Sequence, residues 1–384
     1  MGETGDRWMA TSQASAAAGA RRAGAEAAGR ALAGRAPALV VVQSAGHLDH
    51  AEVLAGVRSE TGEAPLLGGS ATDAFGAEGP ATDVVVTALG GSGLRAATAA
   101  SSDPDVRARG VEVARALEHV AGRHRLLLLL PDGLDYSQDQ LVRGVYDVAG
   151  PSVPVVGGGS SAVVGRERTA LLHGGEVRRG GVVAAVLASD RPFGVGAHHG
   201  MRPVGDALVV TGSTGLEVQT LDGEPALDAY LARLSAPSAA HYDASAFAAF
   251  AQLHPLGLAR RRREEARVVV GADLRNRTLQ FVTPVPQGGL VRLMEGDTGS
   301  VLQAARTACD EAVGGLGDHA PAGLLVFSCV ARRQLLGEEG VAAEVASVRE
   351  VGGSATSVSH SFGEIARTSG YAGCHNQTLV ALAV

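Results

Sequence analysis

Ala38-Leu39-Val40-Val41-Val42-Gln43, then Asp49-His50-Ala51-Glu52, then Pro65-Leu66-Leu67-Gly68-Gly69-Ser70 is the succession that decides how this chain folds. The unbroken apolar run marks a strand buried on both faces. Asp49 and Glu52 stand at the spacing of a helix N-terminal box, which predicts a helix running to about Thr61. Pro65 to Ser70 supplies a second strand entering a glycine bend, and Asp83 to Leu89 returns as a third.

The same order recurs downstream. Leu126 to Leu130 is a strand, and Ser137 to Gln140 repeats the capping-box spacing. Leu141, Val142, Val145, Tyr146 and Ala149 then mark one helical face. Val155-Val156-Gly157-Gly158-Gly159-Ser160-Ser161 echoes the first bend, and Gly181 to Leu187 closes the unit. A looser third copy has a strand at Gly323 to Phe327 and a helix from about Glu338 to Arg349. Its Gly352-Gly353-Ser354-Ala355-Thr356 repeats Gly68 to Thr72 without a change, and a last strand runs from Thr378. Buried strands alternating with amphipathic helices predict an α/β fold: two related layered domains with mixed β-sheets flanked by helices. The divisions fall at 1–36, an Ala/Arg-rich helix, 37–205 and 206–384, with a Gly/Pro linker at about 190–202. Arg260 to Arg263, followed by Glu264 and Glu265, reads as a solvated loop.

Composition excludes several functions. A chain of 384 residues with net charge −7 and pI near 6.0 lacks the basic surplus of a nucleic-acid binder. Aromatic residues at 3% leave little for base stacking. All 33 cationic side chains are Arg, which removes Schiff-base chemistry and a phosphate loop ending in Gly-Lys. Cys309, Cys329 and Cys374 form no CxxC pair, so neither a disulfide framework nor a zinc knuckle is encoded. His47 to His50 is too compact for a metal set. With no secretory signal and no membrane-length apolar run, a cytoplasmic location without membrane contact is the expectation.

Asp206 to Ser213, Leu221-Asp222-Gly223-Glu224-Pro225-Ala226-Leu227 and His254-Pro255-Leu256-Gly257 appear in order. Phe327-Ser328-Cys329-Val330-Ala331-Arg332, Gly363-Glu364-Ile365 and His375-Asn376-Gln377-Thr378 follow. This ordered set, from about Pro37 to the end, resembles the FIST family, with an N-terminal and a C-terminal FIST domain. The resemblance implies a bacterial-type sensory module for signal transduction that binds a small ligand, amino acids among them, and reports to a separate signalling protein. It also implies an alternative, since some members bind haem and sense nitric oxide. Two departures bear on the site: Gly69 stands where the family commonly has Cys, and Val358-Ser359-His360 where it has Gly-Phe and an aromatic residue.

Among candidate site residues, Ser70, Thr72, Ser160 and Ser161 flank the glycine bends, whose successive N–H groups could cradle an anion. The same glycines could instead serve close packing alone. Arg332 and Glu364 could clamp the carboxylate and ammonium of an amino acid, with His375 nearby, or form a structural ion pair. Cys329 with His375 as base would make a hydrolase or transferase, although its apolar flanks fit a buried thiol. His198, His199, His254 and His360 are available to haem iron, without an attachment motif. The expectation is a non-enzymatic sensor without a metal.

Overall fold

The computed structural model describes residues 7–77, 79–162, 168–260, 264–368 and 371–384. Three units of one design follow each other along the chain. The first runs strand Trp8–Ala14, helix Ala20–Leu32, strand Leu39–Ala45, helix His50–Thr61, strand Leu66–Ala71, a short strand Ala74–Phe75, and strand Val84–Gly90. The second repeats this from Arg95–Ser101 through His124–Pro131 and Val155–Gly158 to Val182–Ser189. The third begins at Gly194–His198 and resumes with helix Thr298–Gly314, strand Leu324–Cys329, helix Val330–Gly352 and strand Thr356–Ser361. It ends at Leu379–Ala383. Between its first strand and first helix lies an insert, residues 202–295, with a separate antiparallel sheet.

Each unit's sheet is completed by a strand from another unit. Leu171–His173 of the second unit pairs with Leu66–Ala71 of the first. Glu364–Thr368 of the third pairs with Val155–Gly158 of the second. Ala74–Phe75 of the first pairs with Thr356–Ser361 of the third, which closes the ring. Within each unit the two strands joined by a helix are parallel and the returning strand is antiparallel, so the sheets are mixed as expected.

The continuous apolar runs are explained by two cores. Strand side chains alternate faces. Val41, Leu128 and Leu325 point into one shared core where the three sheets meet. Val40 and Val42, Leu127 and Leu129, and Leu324 and Val326 point outward beneath their own helices. The outer helices pack in pairs through glycine. A Cβ on Gly56 would stand 1.9 Å from the Arg21 carbonyl oxygen, and one on Gly144 would stand 1.9 Å from that of Arg107.

Several expectations change in this frame. The third Gly-Gly-Ser is a helix terminus: Gly353 caps Val330–Gly352 with φ 69°, and Ser354 is exposed. Strand register puts Val42 opposite Gly68, Leu129 opposite Gly157, and Val326 opposite Val358, so Val358 takes the place of Gly68. The five-residue identity is one of sequence only. The presumed linker contains the edge strand Gly194–His198, paired with Leu379–Ala383. The helix of 1–36 is present at Ala20–Leu32, preceded by a strand in the first sheet. The division at 205/206 falls inside the strand Arg202–Thr214. Ser137 precedes its helix without capping it, because its backbone (ψ 25°) is not extended and Asp135 takes up the turn by accepting from Ser137 N at 3.0 Å. Asp49 does cap, accepting from Ala51 N and Glu52 N. Arg261, Arg262 and Arg263 lie outside the described residues.

Gly144→Ala is expected to wedge the helices Val106–Ala114 and Gln138–Ala149 apart at a cost of about 1–3 kcal/mol. Urea unfolding monitored by circular dichroism measures this, and an unchanged midpoint would show that the helix pair gives way freely.

Candidate functional site

The glycine bends do meet. Gln43, Leu130 and Phe327 occupy equivalent places in the three units, as do Gly69, Gly158 and Ser359. Together with Ser70, Ser160, His360 and Ser361 they surround the axis where the sheets converge. The space left there is only about 20 Å³, too little for a metabolite. The hydroxyls are committed to the scaffold. Ser70 Oγ accepts from Ala170 N at 3.0 Å. Ser161 Oγ accepts from Thr72 N at 2.8 Å and donates to the His360 carbonyl, and Thr72 Oγ1 donates to the Ala162 carbonyl at 2.9 Å. Ser160 Oγ accepts from Gly133 N at 3.4 Å. These residues tie the second unit to the first and third.

Arg332 and Glu364 are both fully buried but form no clamp. The Arg332 guanidinium pairs with Glu344 and donates to the carbonyls of Val301 at 3.0 Å and His199 at 3.1 Å. Glu344 takes a further bond from Ser328 Oγ at 2.8 Å. The clamp could not be distinguished from a structural pair because Glu344 lies inside a helix with nothing in its local sequence to mark it as buried. Glu364 accepts from Ser361 Oγ at 2.9 Å and lies against the Cys329 thiol. Burial pushes the Glu364 carboxyl up to about 8, with the Ser361 bond offsetting part of the rise.

Burial, and next the adjacent Glu364 charge, also push the Cys329 thiol up, which opposes a thiolate nucleophile. Cys374 is raised to about 12 by burial. His375 donates from Nε2 to the Ala366 carbonyl at 3.0 Å, so that nitrogen is not placed as a base for Cys329.

A roomier site lies where the insert meets the three-unit body, a cleft of about 180 Å³. Its floor is the start of the helix Val330–Gly352, contributing Cys329, Val330, Ala331 and Gln334. One wall is the loop from Gly133 to Asp139 with Phe362 and Gly363. The other comes from the insert: Gln252, Val268, Val270, Val282 and Thr283. Asn376 joins the two sides, its Oδ1 accepting from Thr283 Oγ1 at 3.1 Å. Apolar walls with a few amides and a hydroxyl are the usual make-up of a small-molecule site. Of the candidate site residues taken from the sequence, Cys329 and His375 line this cleft. The insert's contribution had no sequence signal, and the helix was read from about Glu338, beyond a break at Gly337 (φ 63°) that separates off the cleft-lining turn.

Family profiles cover nearly the whole chain: the FIST N domain matches residues 38–224 and the FIST C domain residues 226–367. The chain belongs to the FIST family. FIST domains are associated with signal transduction and small-ligand sensing. The join between the two profiles, at 224–226, falls within the insert. No curated protein matches the chain. Among solved structures, a cyanuric acid hydrolase from A. caulinodans is similar at 14% identity, with a TM-score of 0.29, over 49% of this chain and 72% of that one.

Haem does not fit this cleft. The cleft is smaller than the roughly 300 Å³ at which drug-sized pockets begin. His375, the histidine in its wall, has Nε2 bonded to backbone. Elsewhere His199 is bonded at both nitrogens, to Glu264 O and from Met201 N, and His254 is stacked on Phe250. His198 pairs with Glu311 at 2.9 Å, and His360 lies 3.2 Å from Asp73 at the closed ring. Among the described residues no group of three or more His, Cys, Asp or Glu could hold a metal ion, and no helix is long and apolar enough to cross a membrane.

Removing one partner of the Arg332–Glu344 pair strands the other in an apolar setting. Arg332→Ala is expected to cost about 3–5 kcal/mol, most of it recovered in an Arg332→Met, Glu344→Leu double variant, as read from urea midpoints. Equal stability of the single and double variants would refute the pairing.

The pH dependence is also set by burial. Folded Glu364 keeps its proton to about pH 8, whereas an unfolded glutamate releases it near 4.5, so stability falls as pH rises through that window. His50, His173 and His199 are lowered by burial, His199 to about 4, and act in the opposite sense below about 6.5. Between pH 6.5 and 8 the Glu364 contribution is therefore exposed: wild type should lose stability there, and Glu364→Gln should lose less. Parallel curves for the two proteins would count against a protonated Glu364.

Proposed function

We propose that this chain is a cytoplasmic sensory module in which a small metabolite, an amino acid or another small carboxylate, occupies the cleft between the insert and the three-unit body. The carrying observation is that cleft: it draws its walls from two parts of the chain and its floor from Cys329, Val330, Ala331 and Gln334, with side-chain amides at Gln252, Gln334 and Asn376 among its polar groups. Family membership supports a sensory role. Three free cysteines suit a reducing compartment. The raised Cys329 thiol supports a binding protein over a catalyst.

Sensing requires a ligand that prefers one arrangement of the insert over another, since a ligand moves an equilibrium only by its differential affinity. The insert joins the body through two connections, after His198 and before Thr298, so a change in its seating would reach a separate partner by way of the strand Gly194–His198 and the helix Thr298–Gly314.

Differential scanning fluorimetry against the amino acids and small carboxylates tests this reading. A ligand at a hundred times its Kd stabilises by about 2.7 kcal/mol. Ala331→Leu, which fills the cleft floor, should abolish the shift while the protein remains folded. If no compound raises the wild-type melting temperature at millimolar concentration, the small-carboxylate reading fails.

A further inference from the structure

Beside the cleft lies a second depression of about 440 Å³, and Asp139, Thr283 and Cys374 border both spaces. Five arginines border the second space, Arg107, Arg143, Arg260, Arg267 and Arg367, against three carboxylates, Asp139, Asp147 and Glu265. Five minus three leaves two positive charges in excess, on a chain whose overall charge is −7. The concentration of cations here therefore runs against the composition of the molecule.

The carboxylates are already engaged. Asp147 pairs with Arg107 at 2.8 Å, and Asp139 stands 3.9 Å from Arg143. Glu265 serves two arginines, Arg267 at 2.7 Å and Arg260 at 3.1 Å. Arg367 has no carboxylate partner among the described residues. It lies 3.7 Å from the ring centroid of Tyr146 and donates to the Gly150 carbonyl at 3.3 Å. Stacking holds its planar fork in place, which lowers the ordering entropy that an oxyanion would otherwise have to offset. Arg267 is 5% exposed, and its Nε has no hydrogen-bond partner. A buried guanidinium with an unused donor is costly unless something accepts from it.

We propose that this arginine basin is an anion subsite for a dianionic, oxygen-bearing group, phosphate or dicarboxylate, on a molecule whose remainder enters the adjoining cleft. The second half of that statement rests on the sensing reading, and the subsite itself does not. The stacked Arg367 guanidinium and the unused Nε–H of Arg267, both bordering this space, supply N–H donors of the kind that phosphate and carboxylate oxygens accept. The excess of two charges matches a dianion better than the zwitterion of a simple amino acid.

Isothermal titration calorimetry of the full chain with pyrophosphate, inorganic phosphate and succinate, at constant ionic strength, tests the subsite. Wild type should bind at least one of them, and Arg367→Gln should weaken that binding by about tenfold or more. Arg367→Lys should fall between the two, keeping charge without the fork. Arg202→Gln, at an arginine that does not border the basin and pairs with Asp297, should match wild type. Tighter binding of pyrophosphate assigns a phosphate ligand, and tighter binding of succinate a dicarboxylate. Thermal melts establish that each variant is folded. Absence of binding at millimolar concentration, or equal binding by folded Arg367→Gln and Arg367→Lys, overturns the subsite. A metabolite hit sensitive to Ala331→Leu but not to Arg367→Gln likewise overturns it while leaving the sensing reading intact. Anion binding that survives Ala331→Leu and is lost in Arg367→Gln establishes the subsite even where that reading fails.

Discussion

The structure depends on the exchange of hairpin strands around a closed ring. Each unit leaves its own sheet after the second parallel strand, contributes a strand to a neighbour, and returns. Hydrogen bonds that would ordinarily be local thereby become bonds between units, and no unit retains a complete sheet by itself. The ring also fixes the inner core, because side chains such as Val41, Leu128 and Leu325 are covered only when the three sheets face one another. Where Ala74–Phe75 joins Thr356–Ser361, polar groups reinforce the seam. Burial raises Asp73, but hydrogen bonds from His360 and Arg333 outweigh it and hold the carboxyl below its ordinary value.

This arrangement explains why the residues that repeat most clearly do not line the cleft. Positions equivalent under the threefold repeat converge on the axis, and a convergence of three backbones favours small residues for packing. Gly69 and Gly158 are retained there while Ser359 stands in the third place, with Phe327 and Ser361 close against Gly158, and Ser160 and Leu171 close against Gly69. The cleft occurs instead where the repeat is broken, at the insert carried by the third unit alone.

Much of the fold was legible because its signals are local. Apolar strands, the Asp49 cap and the order strand, helix, strand can each be read from a few neighbouring residues, and all three copies were found. The strand exchange was not legible, since Glu364–Thr368 carries no mark of pairing with Val155–Gly158 rather than with its own unit. The coincidence of Gly352 to Thr356 with Gly68 to Thr72 shows how identity without register misleads: a helix stop and a strand bend both want glycine, for different backbone reasons. The site was less legible than the fold for the same cause. Arg332 and Glu364 stand out in the sequence, but the partner that decides the role of Arg332 lies a helical stretch away at Glu344.

Exchange around a ring also bears on how such a chain is made. During synthesis from the N-terminus, the strand Leu66–Ala71 waits for Leu171–His173, and Ala74–Phe75 for Thr356–Ser361. Open strand edges are sticky surfaces, and pairings this distant in sequence form slowly. A nascent chain of this design therefore spends most of its translation with unsealed edges, and completes its architecture only as the ribosome delivers the last unit.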